Sequence, residues 1–396
     1  MSRRYIGSFI DAFNALKVAN SPTIGTATAG NAQACVTFTA PACVGGGAIS
    51  SFTAVSCPES KAGSGATSPI SVTGLTNCTA YTFKVNATNV FGPSAFSAAS
   101  NSATPIVSGT FAIFALGNAS GPKTTRDKYT YSGCVVSSGA AASTASCFGS
   151  AAGTAAVGIF ALGTTPCIST TRNKYTYASC TSGSATAATA ASANGSAAGN
   201  STVGIFALGT VSGTCSTTRN KYTYSGCVVA SATAASVASR RGSAAGNSTV
   251  GIFALGRASG NQSTTRNKYT YSGDVNASAT AASAATTFSS ATGNSTVGIF
   301  ALGLNCCSGA LQTRNKYTYA SCTSGSATSS SLTSQKGSAA GNATVGIFAL
   351  GIACCTAATQ RNKYTYSGDV NANGGVASSA SSQGSAASNG TTGVNA

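Results

Sequence analysis

Residues able to carry acid–base chemistry are few and scattered. The chain of 396 residues has five carboxylates, Asp11, Glu59, Asp127, Asp274 and Asp369, and no histidine. They fall on separate elements, so no general base, catalytic triad or pair of glycosidase carboxylates can be assembled from neighbours. The 15 cysteines include no Cys-x2-Cys pair, and without histidine a zinc or copper site finds few ligands. No GxxxxGK[ST] phosphate loop occurs. The expectation is a protein that is not an enzyme and has neither cofactor nor metal.

The basic side is richer. Lysine and arginine number 22, for a net charge of +17. A balance this lopsided fits a polyanionic partner such as nucleic acid, acidic polysaccharide or lipopolysaccharide phosphates. Its other reading is that charge keeps a Ser/Ala-rich surface soluble. Twelve of the 22 form Arg-x-Lys pairs: Arg126/Lys128, Arg172/Lys174, Arg219/Lys221, Arg266/Lys268, Arg314/Lys316 and Arg361/Lys363. A circle of such cations would engage an anionic polymer many times at once. Alternatively, each pair lays its aliphatic stems over the edge of a neighbouring element. The second reading is preferred, because the six pairs are alike.

These pairs are positioned by a repeat. The phenylalanine of IFALG recurs at Phe114, Phe160, Phe206, Phe253, Phe300 and Phe348, in steps of 46, 46, 47, 47 and 48 residues. Such a period fixes architecture before any single residue is interpreted. Within a copy, VGIFALG reads as an apolar strand stopped by glycine. TRNKYTY is a second strand with Arg266, Lys268 and Thr270 on one face and Asn267, Tyr269 and Tyr271 on the other. SGDVNASAT supplies a third strand and GSAAGN a short fourth. Four strands per 46 residues is the length of one propeller blade. The closing GSAASNGTTGVNA matches GSAAGNSTVGIFA, so it can provide the inner strand that the first copy lacks and close six blades. A stacked solenoid is the runner-up.

The six copies differ where recognition would sit. The loop after IFALG changes completely, as does the stretch before each inner strand, and these two connections emerge on one face of an up-down sheet. From them come the ligand-binding candidates Arg257, Asn261 and Gln262, then Arg240 and Arg241, then Lys336. The paired Arg126, Arg172, Arg219, Arg266, Arg314 and Arg361 complete the set. Cysteines are patterned too. Cys134, Cys180, Cys227 and Cys322 share one site, where Asp274 and Asp369 stand in other copies. Cys167, Cys215, Cys306, Cys307, Cys354 and Cys355 occupy the variable loop. Disulfides within a repeat, or to the next one (Cys134–Cys167, Cys180–Cys215, Cys322 to Cys354 or Cys355), both fit if the protein meets an oxidising exterior. Small buried thiols are the other reading.

Ahead of the repeats, Ile6, Phe9, Ile10, Phe13 and Leu16 make an apolar stripe that predicts a short helix over residues 1–20. It would dock into a larger assembly or lie on its own next domain. Residues 21–106 alternate apolar and polar over about seven short strands, as a sandwich does. The carrying segments are AQACVTFTAP, GGAISSF, SPISVTGL and AYTFKVNATNVFGPS. On these residues the segment resembles a fibronectin type III domain, with Tyr81 at the expected tyrosine corner. The family's core tryptophan is absent, leaving Phe38 or Val36 to fill its place. Residues 107–396 resemble a divergent kelch repeat, in which IFALG has one glycine for the usual two and the outer tryptophan is missing.

No apolar run is long enough to span a membrane and no secretory signal is evident, which suggests a chain made in the cytoplasm. An anchoring peptide, a fibronectin type III spacer and a repeat head resemble a structural protein of a bacteriophage virion. The opening MSRRYIG is similar to the start of some phage structural proteins. The resemblance implies an all-β chain located in the virion, in many copies, as a tail, fibre or capsid-decoration component. It would contact other virion proteins through residues 1–20 and possess a six-bladed kelch-like β-propeller for host surface glycans. The alternative is a bacterial cell-surface adhesin.

Overall fold

In the computed structural model, residues 16–390 are described, apart from 31, 77–78, 106–109, 116, 119, 132–134, 166 and 354–355. Every regular element among them is a β-strand. The chain divides into two compact units, Met1–Ser108 and Gly109–Ala396.

The first unit pairs a three-stranded sheet (Thr23–Ala29, Gln33–Thr39, Ile70–Thr73) with a four-stranded one (Ala62–Gly65, Ser51–Cys57, Thr82–Asn89, Gly92–Pro93). Alternation in the sequence becomes alternation in burial, with Val36, Phe52, Ala54, Val72, Phe83 and Val85 inward. Phe38 and Phe52 pack with ring centroids 4.7 Å apart and tilted by 48° in the core of this unit. Tyr81 is fully buried, and its hydroxyl accepts a hydrogen bond from the Thr76 amide at 3.0 Å. Most of the expected helix over 1–20 lies outside the described residues. Residues 17–20 are irregular, held by Lys17 N to Gly45 O at 2.9 Å and by Asn89 Nδ2 to Lys17 O at 3.0 Å.

In the second unit the repeat folds five times into a four-stranded antiparallel sheet, and in the sixth copy the same four strands are joined by Ser334–Gln335 and Ile352–Ala353 in a six-stranded sheet. The second of these sheets runs Ser150–Gly153, Val157–Ala161, Arg172–Thr176, Thr181–Ala185. The first sheet takes its innermost strand from the far end of the chain, Ser385–Ser388 pairing with Phe111–Ala115. Each innermost strand packs against its counterparts before and after it. Ser385–Ser388 packs against Ser150–Gly153, so the six close on themselves.

Residue size explains the close stacking. At Gly251 an added Cβ would stand 2.8 Å from the Tyr271 hydroxyl and 3.1 Å from the Ala198 methyl of the neighbouring sheet. Neighbours on both sides bury Ile252, Phe253 and Tyr269, each contributing on the order of 1.5–3 kcal/mol. The turn recurs as GNST in three copies and GNAT in a fourth, for a local reason. Asn247 Oδ1 accepts from the amides of Thr249 and Val250 at 2.9 Å, and its Nδ2 donates to Ser295 O of the next copy at 3.2 Å. Asn200 and Asn294 do the same, and Asn342 reaches round to Thr110 Oγ1 at 3.0 Å.

Candidate functional site

The constant arginines are scaffold. Arg126, Arg172, Arg219, Arg266, Arg314 and Arg361 are about 1% exposed or less. Each guanidinium lies over the IFALG phenylalanine of the next sheet, as Arg219 does over Phe253 at 4.6 Å and Arg361 over Phe114 at 4.8 Å. Nη2 of the first five donates to the Asn Oδ1 of the next RNK at 3.1–3.2 Å. The sixth meets Asp127 instead, at 2.8 Å, where the first copy reads RDK. Asp127 also accepts from Ser378 N at 3.0 Å and Ser378 Oγ at 2.5 Å. Burial pulls the first five arginines down to about 10 and lowers Arg361 as well. As ligand contacts these six are corrected: a side chain sealed between two sheets cannot meet a polymer.

The other carboxylates are also engaged. Asp274 bonds the Tyr269 hydroxyl and Thr233 N, and Asp369 bonds the Tyr364 hydroxyl and Thr328 N. Glu59 accepts from Thr76 Oγ1 at 3.1 Å. Asp11 lies outside the described residues. Among the described residues no group of three or more His, Cys, Asp or Glu is placed to hold a metal.

Disulfide pairing is corrected in most places. Cys167, Cys215, Cys227, Cys306, Cys307 and Cys322 are free thiols, whereas Cys180 is disulfide-bonded. Cys134, Cys354 and Cys355 lie outside the described residues. Loop and turn cysteines sit at opposite ends of a five-residue strand such as Arg172–Thr176. That separation is roughly 17 Å, whereas a disulfide needs Cα atoms within about 7 Å.

The two variable segments of each copy come together. Ser192–Ala193 pairs with Thr210–Val211, Ser239–Arg240 with Arg257–Ala258, and Ser334–Gln335 with Ile352–Ala353. Isolated bridges Cys147 to Thr164, Thr287 to Leu304 and Asn118 to Ser382 complete the six. The result is a crown that gathers the two variable connections of each copy, while the third strands and the Cys/Asp turn before them vary outside it. Asn261 is exposed on it, and Arg257 bonds its own Gly260 O at 2.5 Å. Gln262 bridges to the following copy, donating to Leu304 O at 3.0 Å and accepting from Cys306 N at 2.6 Å.

Arg241 and Lys336 belong to a feature that the sequence did not reveal. Phe148, Asn194, Arg241, Phe288, Lys336 and Gln383 all have φ between 56° and 60°. Each donates its backbone N–H to the carbonyl of the one before at 2.8–3.0 Å, and Phe148 donates to Gln383, so the ring is complete. Left-handed backbone is uncommon for such side chains, and six together are held by this closed circuit. The ring surrounds a recess of about 350 Å³, open solvent at its mouth included. Its signal was one variable residue just before the near-constant Gly-Ser of each inner strand.

No protein-family model and no curated protein sequence matches the chain. Among solved structures, domains A168–A170 of titin align at 23% identity over 23% of this chain, with a TM-score of 0.19. That covers 32% of the titin fragment, so the chain spans about a third of its length. The structure of YjhT aligns at 8% identity over 60% of this chain and 86% of that one, with a TM-score of 0.47. No described helix is long and apolar enough to cross a membrane.

Proposed function

We propose that the chain is a non-catalytic display protein of a bacteriophage particle. In this reading residues 1–20 anchor it to other virion proteins and residues 21–106 are a fibronectin type III spacer. Residues 107–396 are a six-bladed, kelch-like β-propeller whose crown meets an acidic surface polysaccharide or lipopolysaccharide of the host. One observation carries the proposal: the two connections that vary most among six otherwise similar repeats meet in the crown, whereas four of the opposite turns share the same Asn-based bonding. A rigid scaffold with one varied face is how recognition surfaces are built. The net charge of +17 suits an acidic polymer.

Binding of the purified chain to acidic polysaccharides, measured across a salt series, tests this reading. Affinity should fall steeply with salt, and replacing Arg257–Ser263 by the shorter loop of the second copy should weaken it. Salt-independent binding, or none, defeats the polymer partner. For the anchor, deletion of residues 1–20 should abolish incorporation into particles while the repeat unit stays folded.

A further inference from the structure

We propose that the axial recess is a binding site for one acidic sugar residue, whose oxyanion lies against Arg241 and Lys336 and whose hydroxyls donate to Asn194 and Gln383. The proposal deepens the polysaccharide reading above and rests on it for the identity of the polymer, while the backbone ring itself is closed without the loops after IFALG.

Three observations converge. First, positive charge is gathered without a counterion. The Arg241 guanidinium lies 4.5 Å above one ring, Phe288, and Lys336 Nζ stands 4.9 Å from the same ring. Arg240 is paired in register with Arg257 directly beside them. Burial, then the nearby Arg240 and Arg257, depress Arg241 below the usual arginine range. Asp127, Asp274 and Asp369 are engaged elsewhere, and among the described residues neither Arg241 nor Lys336 makes an ion pair. The crowding of Arg240, Arg241 and Arg257, with Lys336 reaching the same Phe288 ring, favours an anion beside them.

Second, three residues that line the recess carry buried polar atoms without a protein partner: Arg241 Nε, Asn194 Oδ1 and Gln383 Oε1. A cation calls for an oxyanion, but the two amide oxygens call for donors. Inorganic phosphate satisfies only the first need, whereas an acidic sugar brings a carboxylate or phosphate together with hydroxyls. Third, the order of the residues agrees. Ring order places Arg241 opposite Gln383 and Lys336 opposite Asn194, so charge and amide face each other across the axis. The hydrogen-bonded backbone ring fixes all six positions beforehand, which lowers the cost of binding.

The test is calorimetric titration of the full chain with D-galacturonate, D-galactose and inorganic phosphate, at low and high salt. Galacturonate should bind one per chain, at least about tenfold more tightly than galactose, since a hydrogen bond to a charged group is worth that factor. Glucose 6-phosphate serves as a second arm, separating phosphate from carboxylate as the source of the charge. Arg241→Asn and Lys336→Asn should each lose about tenfold in affinity. Asparagine already occupies the same backbone conformation at position 194, so both variants should keep the wild-type melting temperature, as should the control Lys84→Gln. Equal affinity for galactose and galacturonate overturns the charge assignment, and phosphate binding as tightly as either acidic sugar overturns the sugar. No binding of any probe by folded protein ends the proposal. Should polysaccharide still bind Arg241→Asn while galacturonate binds nothing, the recess fails and the crown reading stands. If galacturonate binds but polysaccharides do not, the reverse holds.

Discussion

Arginine occurs in two settings within the repeat unit, and the contrast explains how the molecule divides its labour. Between sheets, the six constant arginines are sealed, stacked on phenylalanine and bonded to asparagine or Asp127. Around the crown, Arg240, Arg241 and Arg257 are half-buried and crowd one another without a carboxylate. The first set is invariant because each side chain must fit two sheets at once. The second set occurs in a single copy, where no packing requirement is shared by all six. Constancy therefore marks structure here, and irregularity marks the candidate contact surface.

The largest test of the sealed region is alkaline pH. Burial raises Tyr131, Tyr177, Tyr271 and Tyr319 well above the ordinary tyrosine value, and Tyr175 to about 12. Such tyrosines stay protonated in the fold after the unfolded chain has released its protons. Above about pH 10, each fully buried one removes about 1.4 kcal/mol of stability per pH unit. The seam arginines act in the opposite sense, since the fold binds them less tightly to their protons than the unfolded chain does. Raised tyrosines outnumber them, and arginine resists deprotonation even in proteins. Stability should therefore be intact below pH 10 and lost above it. Tyrosinate absorbance and circular dichroism should change in a single joint step. Half the tyrosines titrating while the dichroism holds would break the account.

Next in size is the closure. Asp127→Ala leaves Arg361 buried without its partner and should cost about 3–5 kcal/mol in urea unfolding. Asp127→Asn recreates the Arg–Asn contact of the other five seams and should cost no more than roughly 1–1.5 kcal/mol. Equal losses would mean that the charge at the seam between last and first copies has no special role. Arg219→Lys keeps the charge but loses the planar fork over Phe253 and the bond to Asn267. Its expected cost is about 1–2 kcal/mol, read in the same way.

Much of this was legible beforehand. A period of 46 to 48 residues announced four short strands per copy, and GSAAS near residue 385 announced that the chain's end returns to its beginning. Likeness among the Arg-x-Lys pairs already favoured packing over binding. Two things were not legible. Disulfide pairing depends on which ends of a strand the cysteines occupy, and spacing alone does not reveal it. The axial ring depends on six residues, each some 46 to 48 apart, taking one unusual backbone conformation together. Phe148 and Gln383 share no chemistry, so only the fold places them in one circle.

The smallest predicted effect sharpens the contrast most. Arg257 lies half-buried in the crown, and its Nε donates only to its own loop, at Gly260 O. It stands in register with Arg240, close enough to add to the depression of Arg241. Arg257→Gln removes one of three crowded charges and keeps a side chain that can hydrogen-bond. Unfolding stability should move by no more than about 0.5 kcal/mol, and any change should be toward greater stability, because a repulsion has gone. If this variant instead destabilised the fold as much as Arg219→Lys, the crown arginines would be scaffold as well. A null effect on stability with weakened polysaccharide binding leaves them free for recognition, which the seam arginines are not.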